Sequence, residues 1–181
     1  REVDAVAHVL RCFEDDDVTH VEGRVDPISD ADTIETELML ADIESIEKRL
    51  QGLSRKVRGG EKEALQQERL LQAALAVLEK GEPARRASVD EDDAKSWKNL
   101  QLLTTKPILY VCNIGEDEVA TGNAHSAKIE EMATKQGAGT VIISAQIEEE
   151  ISQLDPEEAD MFLNEMGLEE PGLDRLIRAG Y

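Results

Sequence analysis

The sequence is short of aromatic residues and of basic charge, and each shortage excludes a class of function. Aromatic residues make up 3% of the 181 positions, so the core must be aliphatic and few rings exist on which the bases of a single-stranded nucleic acid could stack. Twenty basic residues stand against 40 acidic ones, for a net charge of −20. This charge argues against a polyanion bound over the whole surface, although a local basic patch stays possible.

Cysteines and long apolar runs are also scarce. Cys12 and Cys112 each end an apolar stretch without paired metal-ligand spacing, so we interpret them as buried, reduced thiols. No apolar run approaches the roughly 20 residues that span a bilayer, and no charged-then-apolar leader opens the chain. These absences predict a cytoplasmic protein with no membrane partner.

The sequence shows no arrangement typical of a metal site. Three consecutive acids, Asp15 to Asp17, have no histidine or further carboxylate at a fixed spacing, so we expect a solvated loop there. We interpret His8, inside a strand pattern, as a core or interface residue, and His20 and His125 as loop or surface residues. The first residue is Arg1, and a strand pattern follows almost at once; we therefore expect a piece of a longer protein.

The apolar pattern predicts a helical hairpin between the first and second strands. A strand pattern, expected to be buried, covers "AVAHVLRCF", and after a long connection Asp30 is the expected helix cap. From residue 34 to 57 the apolar residues recur with coiled-coil spacing, and a second run has its own apolar face after the glycines of "RGG". The first seam is Met39, Ile43, Ile46, Leu50, Leu53 and Val57, and the second face is Ala64, Leu71, Ala74 and Leu78. The short connection makes the pair antiparallel.

The second half alternates strand and helix patterns. "KPILYVCN" and "GTVIISA" are unbroken apolar runs typical of strands covered on both faces. Helices are expected from Ser88, over 118–136, after the Asp155–Pro156 cap, and over "GLDRLIRAG". This order predicts an α/β fold with a parallel sheet. We divide the chain into the first strand and its loop over 1–29, a helical hairpin over 30–86, and the remaining strands and helices over 87–181.

Polar residues follow the predicted strands where ligands bind in open parallel sheets. Asn113 ends one strand and offers an amide that can donate to and accept from a purine edge. Ser144 and Ala145 follow the next strand and can present backbone N–H groups. Taken alone, the Asn-x-x-Glu pattern from Asn113 to Glu116 is weak. The Ser144–Ala145 loop after the next strand strengthens its interpretation as a base-binding site.

The stretches "RCFEDDDVTHVEGRVDPISDADTIETELMLADIESIEKRL", "KPILYVCNIGEDE" and "VIISAQIEEEISQL" closely resemble the YchF / Obg-like ATPase family of translation-factor-class P-loop NTPases. The resemblance covers essentially the whole chain in order. It implies the C-terminal part of a P-loop NTPase sheet carrying a coiled-coil arm, a preference for ATP over GTP, association with ribosomes, and a small β-rich domain beyond this chain.

The resemblance also implies roles for single residues. Asn113 matches the base-reading asparagine, Ile114 borders the adenine, Phe13 helps to hold the base, and Glu116 stands where GTPases keep a guanine-reading aspartate. Glutamate is one methylene longer, which displaces the carboxylate by about 1.5 Å and disturbs a bidentate pairing with guanine. Family members usually carry serine where this chain has Gly115, a mild departure that concerns the rigidity of the loop.

The phosphate-binding motif Gly-x-x-x-x-Gly-Lys-[Ser/Thr] does not occur in the chain. The family has that loop and its magnesium ligands upstream of the position of Arg1. We therefore expect a parent protein that uses magnesium and hydrolyses ATP or GTP, while this chain alone is inactive and holds neither catalytic residues nor a metal. The alternatives are a GTP-dependent nucleic-acid-binding protein and a non-catalytic interaction module built on the helical arm.

One feature comes from this sequence and not from the resemblance. Between residues 48 and 62, around the expected tip of the hairpin, six basic residues accompany a single acid. They are Lys48, Arg49, Arg55, Lys56, Arg58 and Lys62. They either solvate a helix end or contact RNA phosphates, and the second interpretation fits the family's association with ribosomes.

Overall fold

The computed structural model describes residues 3–14 and 24–180 of the chain. Three strands and seven α-helices lie along these ranges, together with short 3-10 turns at Ala84–Arg86, Glu91–Asp93 and Glu116–Glu118. In chain order they are β1 (Val6–Arg11), α1 (Pro27–Arg58), α2 (Lys62–Leu78), α3 (Ala94–Asn99), β2 (Ile108–Asn113), α4 (Ala124–Gln136), β3 (Gly139–Ile143), α5 (Ala145–Ser152), α6 (Pro156–Glu165) and α7 (Gly172–Gly180). Within the described ranges no helix combines the length and the apolar character that crossing a membrane requires.

Residue contacts divide the chain into two compact units. The helical unit comprises Arg1–Val6 and Asp32–Pro107, and the sheet unit comprises Ala7–Ala31 and Ile108–Tyr181. The three-part division made from the sequence, with boundaries after residues 29 and 86, stays a prediction.

Parallel strands form the sheet, in the order β1-β2-β3. β2 and β3 pair in parallel from Leu109 opposite Gly139 to Asn113 opposite Ile143. On the other side of β2, the Cys12 N–H donates to the Asn113 carbonyl at 2.8 Å. The predicted fold class, a parallel α/β sheet with an inserted helical hairpin, is confirmed.

The residues of β2 are more deeply buried than those of β1. Residues 108–112 of β2 are all buried, as the unbroken apolar run predicts. In β1 only His8 and Leu10 are buried, while Val9 is 61% exposed. The expectation that β1 is a buried strand is therefore wrong, because β1 lies at the edge of the described sheet and its side chains alternate between two faces.

Helix α1 begins earlier than the sequence pattern predicts. Asp26 precedes Pro27, and its Oδ1 accepts a hydrogen bond from the Ser29 N–H at 3.2 Å. The cap assigned to Asp30 is therefore wrong, since Asp30 lies inside the first turn. Aspartate followed by proline at the first helical position is the signal that the Asp155–Pro156 pair gives for α6, where the prediction is confirmed by the Glu158 N–H donating to Asp155 at 2.9 Å.

Two helix starts in the second half also differ from the predictions. The helix expected from Ser88 is instead the 3-10 turn at Glu91–Asp93 followed by α3, and the helix expected over 118–136 begins only at Ala124. In the second case Asn123 supplies the cap, accepting from the Ser126 N–H while the Ser126 hydroxyl accepts from the Asn123 N–H. A local capping signal sets the start of α4.

Helices α1 and α2 pack through the predicted seam. Ile46 is fully buried, and Met39, Ile43, Leu50 and Leu53 pack around the same cluster as the α2 residues Leu70, Leu71, Ala74 and Leu78. The turn between the helices spans residues 59–61, with Gly60 at φ 76°, a left-handed conformation that favours glycine. A connection this short returns the second helix antiparallel to the first.

A buried carboxylate joins α1 to the segment before β2. Asp42 is 2% exposed, and it accepts hydrogen bonds from the Leu103 and Thr104 N–H groups, both at 2.8 Å, and from the Thr104 hydroxyl at 2.6 Å. The Asp42 carboxylate thus supplies the acceptor that both backbone N–H groups need. Asp42 thereby fixes the chain that leads into β2.

We expect Asp42→Ala to lower the free energy of unfolding by roughly 2–4 kcal/mol, because three donors lose their acceptor inside the protein. Urea denaturation of the 181-residue chain, followed through the fluorescence of Trp97, its only tryptophan, measures the change. Glu47→Ala on the exposed side of α1 is the matched control. Equal stability of the two variants would show that Asp42 does not hold this segment.

Candidate functional site

The predicted base-binding residues follow the carboxyl ends of the strands. Phe13 comes two residues after β1, Asn113 ends β2, and Ser144 follows β3 directly. Because the strands are parallel, their carboxyl ends meet at one edge of the sheet, which is the edge where ligands bind in open α/β folds. The sheet therefore places these three loops along a common edge.

A single hydrogen bond orients the side chain of Asn113. Its Oδ1 accepts from the Ala145 N–H at 3.0 Å, and because a backbone N–H needs an acceptor, the amide oxygen must face Ala145. The two donors of Nδ2 then point away from Ala145. Asn113 is thus held in one amide orientation.

The Ala145 N–H, which the sequence predicts to meet the base, donates to Asn113 Oδ1 in the structure. Ala145 thereby helps to orient Asn113. Contacts of Ser144 and Ala145 with a base stay predictions.

Helix α5 begins at Ala145 and was not predicted from the sequence. Ser144 is 1% exposed, and its Oγ accepts from the Ile147 N–H at 3.4 Å, which caps the helix. The signal was present, since a serine precedes the segment and Glu148 stands in its first turn. The Ser144 hydroxyl thus serves the helix cap, and the start of α5 fixes the loop that holds Asn113.

Ile114 and Gly115 are the first two residues of the loop after β2. The Ile114 side chain is 2% exposed, and its N–H donates to the Ile143 carbonyl at 2.9 Å, so the pairing of β2 with β3 extends one residue further. Contact between Ile114 and a bound adenine stays a prediction. Gly115 has φ −68°, and a Cβ built there meets nothing within 4 Å, so its conformation does not require glycine.

Glu116 follows in the same loop, and its side chain is half-buried. The pKa of Glu116 is raised, first because burial disfavours the charged form, and then because the negative charges of Glu150 in α5 and of Asp117 disfavour it as well. Glu116 Oε1 is enclosed and has no hydrogen-bond partner among the described residues. The hydrogen bond between the Ala145 N–H and Asn113 joins this loop to α5.

Phe13 lines a separate cleft. Its ring is half-buried, with the Arg11 guanidinium 5.0 Å from the ring centroid. The cleft has a volume of about 480 Å³ and is lined by Phe13, Glu14, Gly115, Asp117, Glu118, Asn123, Ala124 and His125. The structure thus brings Asn113, Ile114, Ser144 and Ala145 together, whereas Phe13 adjoins the other side of the same loop.

Asn123 is a supporting residue that the sequence reasoning missed. Besides capping α4, its Nδ2 donates to the Cys12 carbonyl at 2.6 Å and to Glu118 Oε2 at 2.8 Å. Asn123 therefore ties the loop after β1 to the loop after β2. The capping box formed with Ser126 was visible in the sequence, but the contacts across the sheet edge depend on the fold.

The remaining titratable candidates are structural or lie outside the described residues. Cys12 and Cys112 are buried free thiols, and the hydrogen bond with Cys112, together with burial, raises the pKa of Cys12. His8 is buried with its ring edge-on to Tyr110 at 5.5 Å, and His125 lies 3.6 Å from Glu14. The acidic triplet at 15–17 and His20 lie outside the described residues. Over ranges 3–14 and 24–180, no group of three or more His, Cys, Asp or Glu side chains is placed to hold a metal ion.

The basic residues around the hairpin turn fall into two kinds. Lys48, Arg55, Lys56, Arg58 and Lys62 are exposed. Arg49 is half-buried and its Nη1 donates to the Leu100 carbonyl at 2.5 Å, so its guanidinium also holds the helical unit together. Five of the six predicted cations thus extend into solvent.

The chain is similar to proteins named YchF from several organisms. The ribosome-binding ATPase YchF of Bacillus subtilis is 47% identical over the whole chain, and those of Haemophilus influenzae and Mycoplasma pneumoniae are 45% and 36% identical. A solved structure of the YchF GTPase of Schizosaccharomyces pombe matches 99% of this chain with a TM-score of 0.80 and 30% identity. The chain spans about half the length of the curated relatives it matches, and half of the solved chain. No protein-family model matches it.

The orientation of Asn113 can be tested through the Ala145 amide. Asn113→Ala removes the acceptor, and we expect hydrogen exchange at Ala145 to become about fivefold faster, the factor that a hydrogen bond of about 1 kcal/mol protects. Asn113→Asp keeps an acceptor oxygen and should leave the exchange slow. NMR on the 181-residue chain measures both variants, with the Ile147 amide, which donates to Ser144, as internal control. Unchanged exchange at Ala145 in Asn113→Ala would contradict the bond.

Proposed function

Because this chain belongs over its whole length to the YchF family, we propose that it forms the base-binding end of a nucleotide site in a longer ATP-hydrolysing protein. In this proposal the protein prefers ATP to GTP, works in the cytoplasm, and uses hydrolysis to switch an interaction with the ribosome. The curated relatives are named ribosome-binding ATPases, and a solved relative is named a GTPase.

The Asn113–Ala145 hydrogen bond is the observation that carries the proposal. It orients an asparagine at the edge of the sheet where ligands bind in open α/β folds, with the Nδ2 donors directed away from Ala145. Such donors suit a purine ring nitrogen, which accepts hydrogen bonds. The bond also lowers the cost of binding, because the side chain is ordered before the base arrives.

The phosphate end of the site belongs to residues outside this chain. The sequence contains no Gly-x-x-x-x-Gly-Lys-[Ser/Thr], and the described residues hold no cluster that fits magnesium. Magnesium, which the family implies, would therefore be held elsewhere in the longer protein. Since phosphate contacts supply much of the affinity for a nucleotide, the chain alone should bind weakly and not hydrolyse ATP.

Asn113→Asp separates base recognition from the structure of the loop. The variant keeps the acceptor for Ala145 but replaces the two Nδ2 donors by a carboxylate oxygen, so we expect ATP affinity of the full-length protein to fall about tenfold or more. Asn164→Asp, on the exposed face of α6, makes the same chemical change away from the site and should bind normally. Titration with a fluorescent ATP analogue measures both, and equal affinities would reject the proposed site.

The 181-residue chain belongs in the same experiment. We expect no phosphate release above background from it, whereas the full-length protein turns over ATP. Hydrolysis by the isolated chain would contradict the assignment of the phosphate end to the rest of the protein.

We further propose that the exposed basic residues around the hairpin turn contact ribosomal RNA. Five solvent-exposed cations lie close together on a chain whose net charge is −20. Such a local patch is what phosphate contacts require on an otherwise acidic surface. Arg49 is a weaker candidate, since its guanidinium already donates to Leu100.

Charge reversal tests this surface. Replacing Arg55, Lys56 and Arg58 together by Glu should weaken co-sedimentation of the full-length protein with ribosomes, more strongly at low salt because the contacts are ionic. The control replaces three exposed lysines elsewhere, Lys80, Lys95 and Lys128, by Glu and changes the net charge equally. Loss of binding in both variants, or in neither, would reject a specific role for the turn.

A further inference from the structure

The first turn of α4 contacts both chain neighbours of Phe13. Asn123 Nδ2 donates to the Cys12 carbonyl at 2.6 Å, and His125 Nε2 lies 3.6 Å from Glu14 Oε1. The Glu14 side chain is 72% exposed, so solvent screens its contact with His125 and leaves it weak. The hydrogen bond from Asn123 to Cys12 is therefore the main attachment of this loop to α4.

Cys12 is held from two sides. Its N–H donates to the Asn113 carbonyl at 2.8 Å, and its own carbonyl accepts from Asn123, so both backbone polar groups have partners. The Phe13 carbonyl accepts from Arg11 Nε at 3.2 Å. The bond from Asn123 thus fixes the peptide group that joins Cys12 to Phe13, and with it the direction in which the chain leaves the sheet.

Asn123 uses the two ends of its amide for different purposes. Its Oδ1 accepts from the Ser126 N–H at 2.9 Å and caps α4, which leaves Nδ2 to donate to the Cys12 carbonyl and to Glu118 Oε2. Aspartate and serine cap a helix about as well as asparagine, but neither has the amide donors. The cap can therefore be kept while the bond to Cys12 is removed.

The loop that Asn123 holds carries one wall of a cleft. Phe13 and Asn123 both line the cleft of about 480 Å³ beside the loop after β2. An aromatic ring offers a face on which a purine can stack. A ring whose backbone is already fixed loses less freedom when the purine binds, and so contributes more to affinity.

We propose that Asn123 is a positioning residue for the nucleotide: by donating to the Cys12 carbonyl, it sets the Phe13 ring against the bound base without touching the base itself. This inference rests on the proposed nucleotide site and deepens it by adding a determinant of affinity on α4. Because Asn123 acts through Phe13, removing its donors should cost affinity only while the ring is present.

The test measures the affinity of the full-length protein for a fluorescent ATP analogue. Asn123→Asp keeps the cap acceptor, and Asn123→Ser keeps a capping oxygen without adding a charge beside Glu118. We expect each to weaken binding about fivefold, the factor that corresponds to one hydrogen bond of ordinary strength. Asn164→Asp, on the exposed face of α6, is the matched control and should bind as the unmodified protein does.

Two further measurements separate positioning from loss of structure. Phe13→Ala should weaken binding about tenfold, because a stacked base is lost, and adding either Asn123 substitution to it should weaken binding no further. Hydrogen exchange in the first turn of α4, followed by mass spectrometry on the full-length protein, should stay slow in at least one Asn123 variant, and affinity is compared in that variant. Faster exchange in both would overturn a role of the donors separate from the cap.

The outcomes distinguish this inference from the proposed function. If neither Asn113→Asp nor Phe13→Ala weakens binding, the proposed nucleotide site is wrong. If Asn113→Asp weakens it but the Asn123 variants do not, or weaken it equally with and without the Phe13 ring, only the role of Asn123 is overturned. A loss in the Asn123 variants that disappears in the Phe13→Ala background supports the role of Asn123.

Discussion

Parallel pairing of β2 with both of its neighbours is the constraint on which the rest of the sheet unit depends. β2 is buried over its whole apolar run, which requires a strand on each side and helices over both faces. Parallel neighbours bring all three carboxyl ends to one edge, and the loops that leave this edge carry the polar side chains. Asn113 lies opposite Ile143 in the register, so the N–H of Ala145, two residues further along, is within reach of the Asn113 amide.

Hydrogen bonds between these loops hold the candidate site together. The Ala145 N–H donates to Asn113, and Asn123 ties the Cys12 carbonyl to Glu118. Ala145 starts α5 and Asn123 caps α4, so each helix start fixes a loop. In the proposed site, this order before binding would lower the cost of holding a base.

Local sequence signals predicted the strands and several helices. The contacts within the candidate site join residues distant in sequence and were not predictable in the same way. The apolar run of β2 and the Asp155 cap of α6 act on their immediate neighbours, and both predictions are confirmed. The place of Asn113 at the ligand edge was predictable because the residue that ends a buried parallel strand lies there. The hydrogen bond from the Ala145 N–H to Asn113 was not predictable from local signals, because only the register of β3 brings these two residues together. The early start of α1 was missed although its Asp26–Pro27 signal was present in the sequence.

The central claim is that this chain supplies the base end of an ATP site. Its most direct test is a crystal structure of the full-length protein with a non-hydrolysable ATP analogue. The account predicts that Asn113 Nδ2 lies within hydrogen-bonding distance of a ring nitrogen of the adenine, with Asn113 Oδ1 still bonded to the Ala145 N–H. An adenine bound away from the loops after β2 and β3, with Asn113 making no contact with it, would contradict the account.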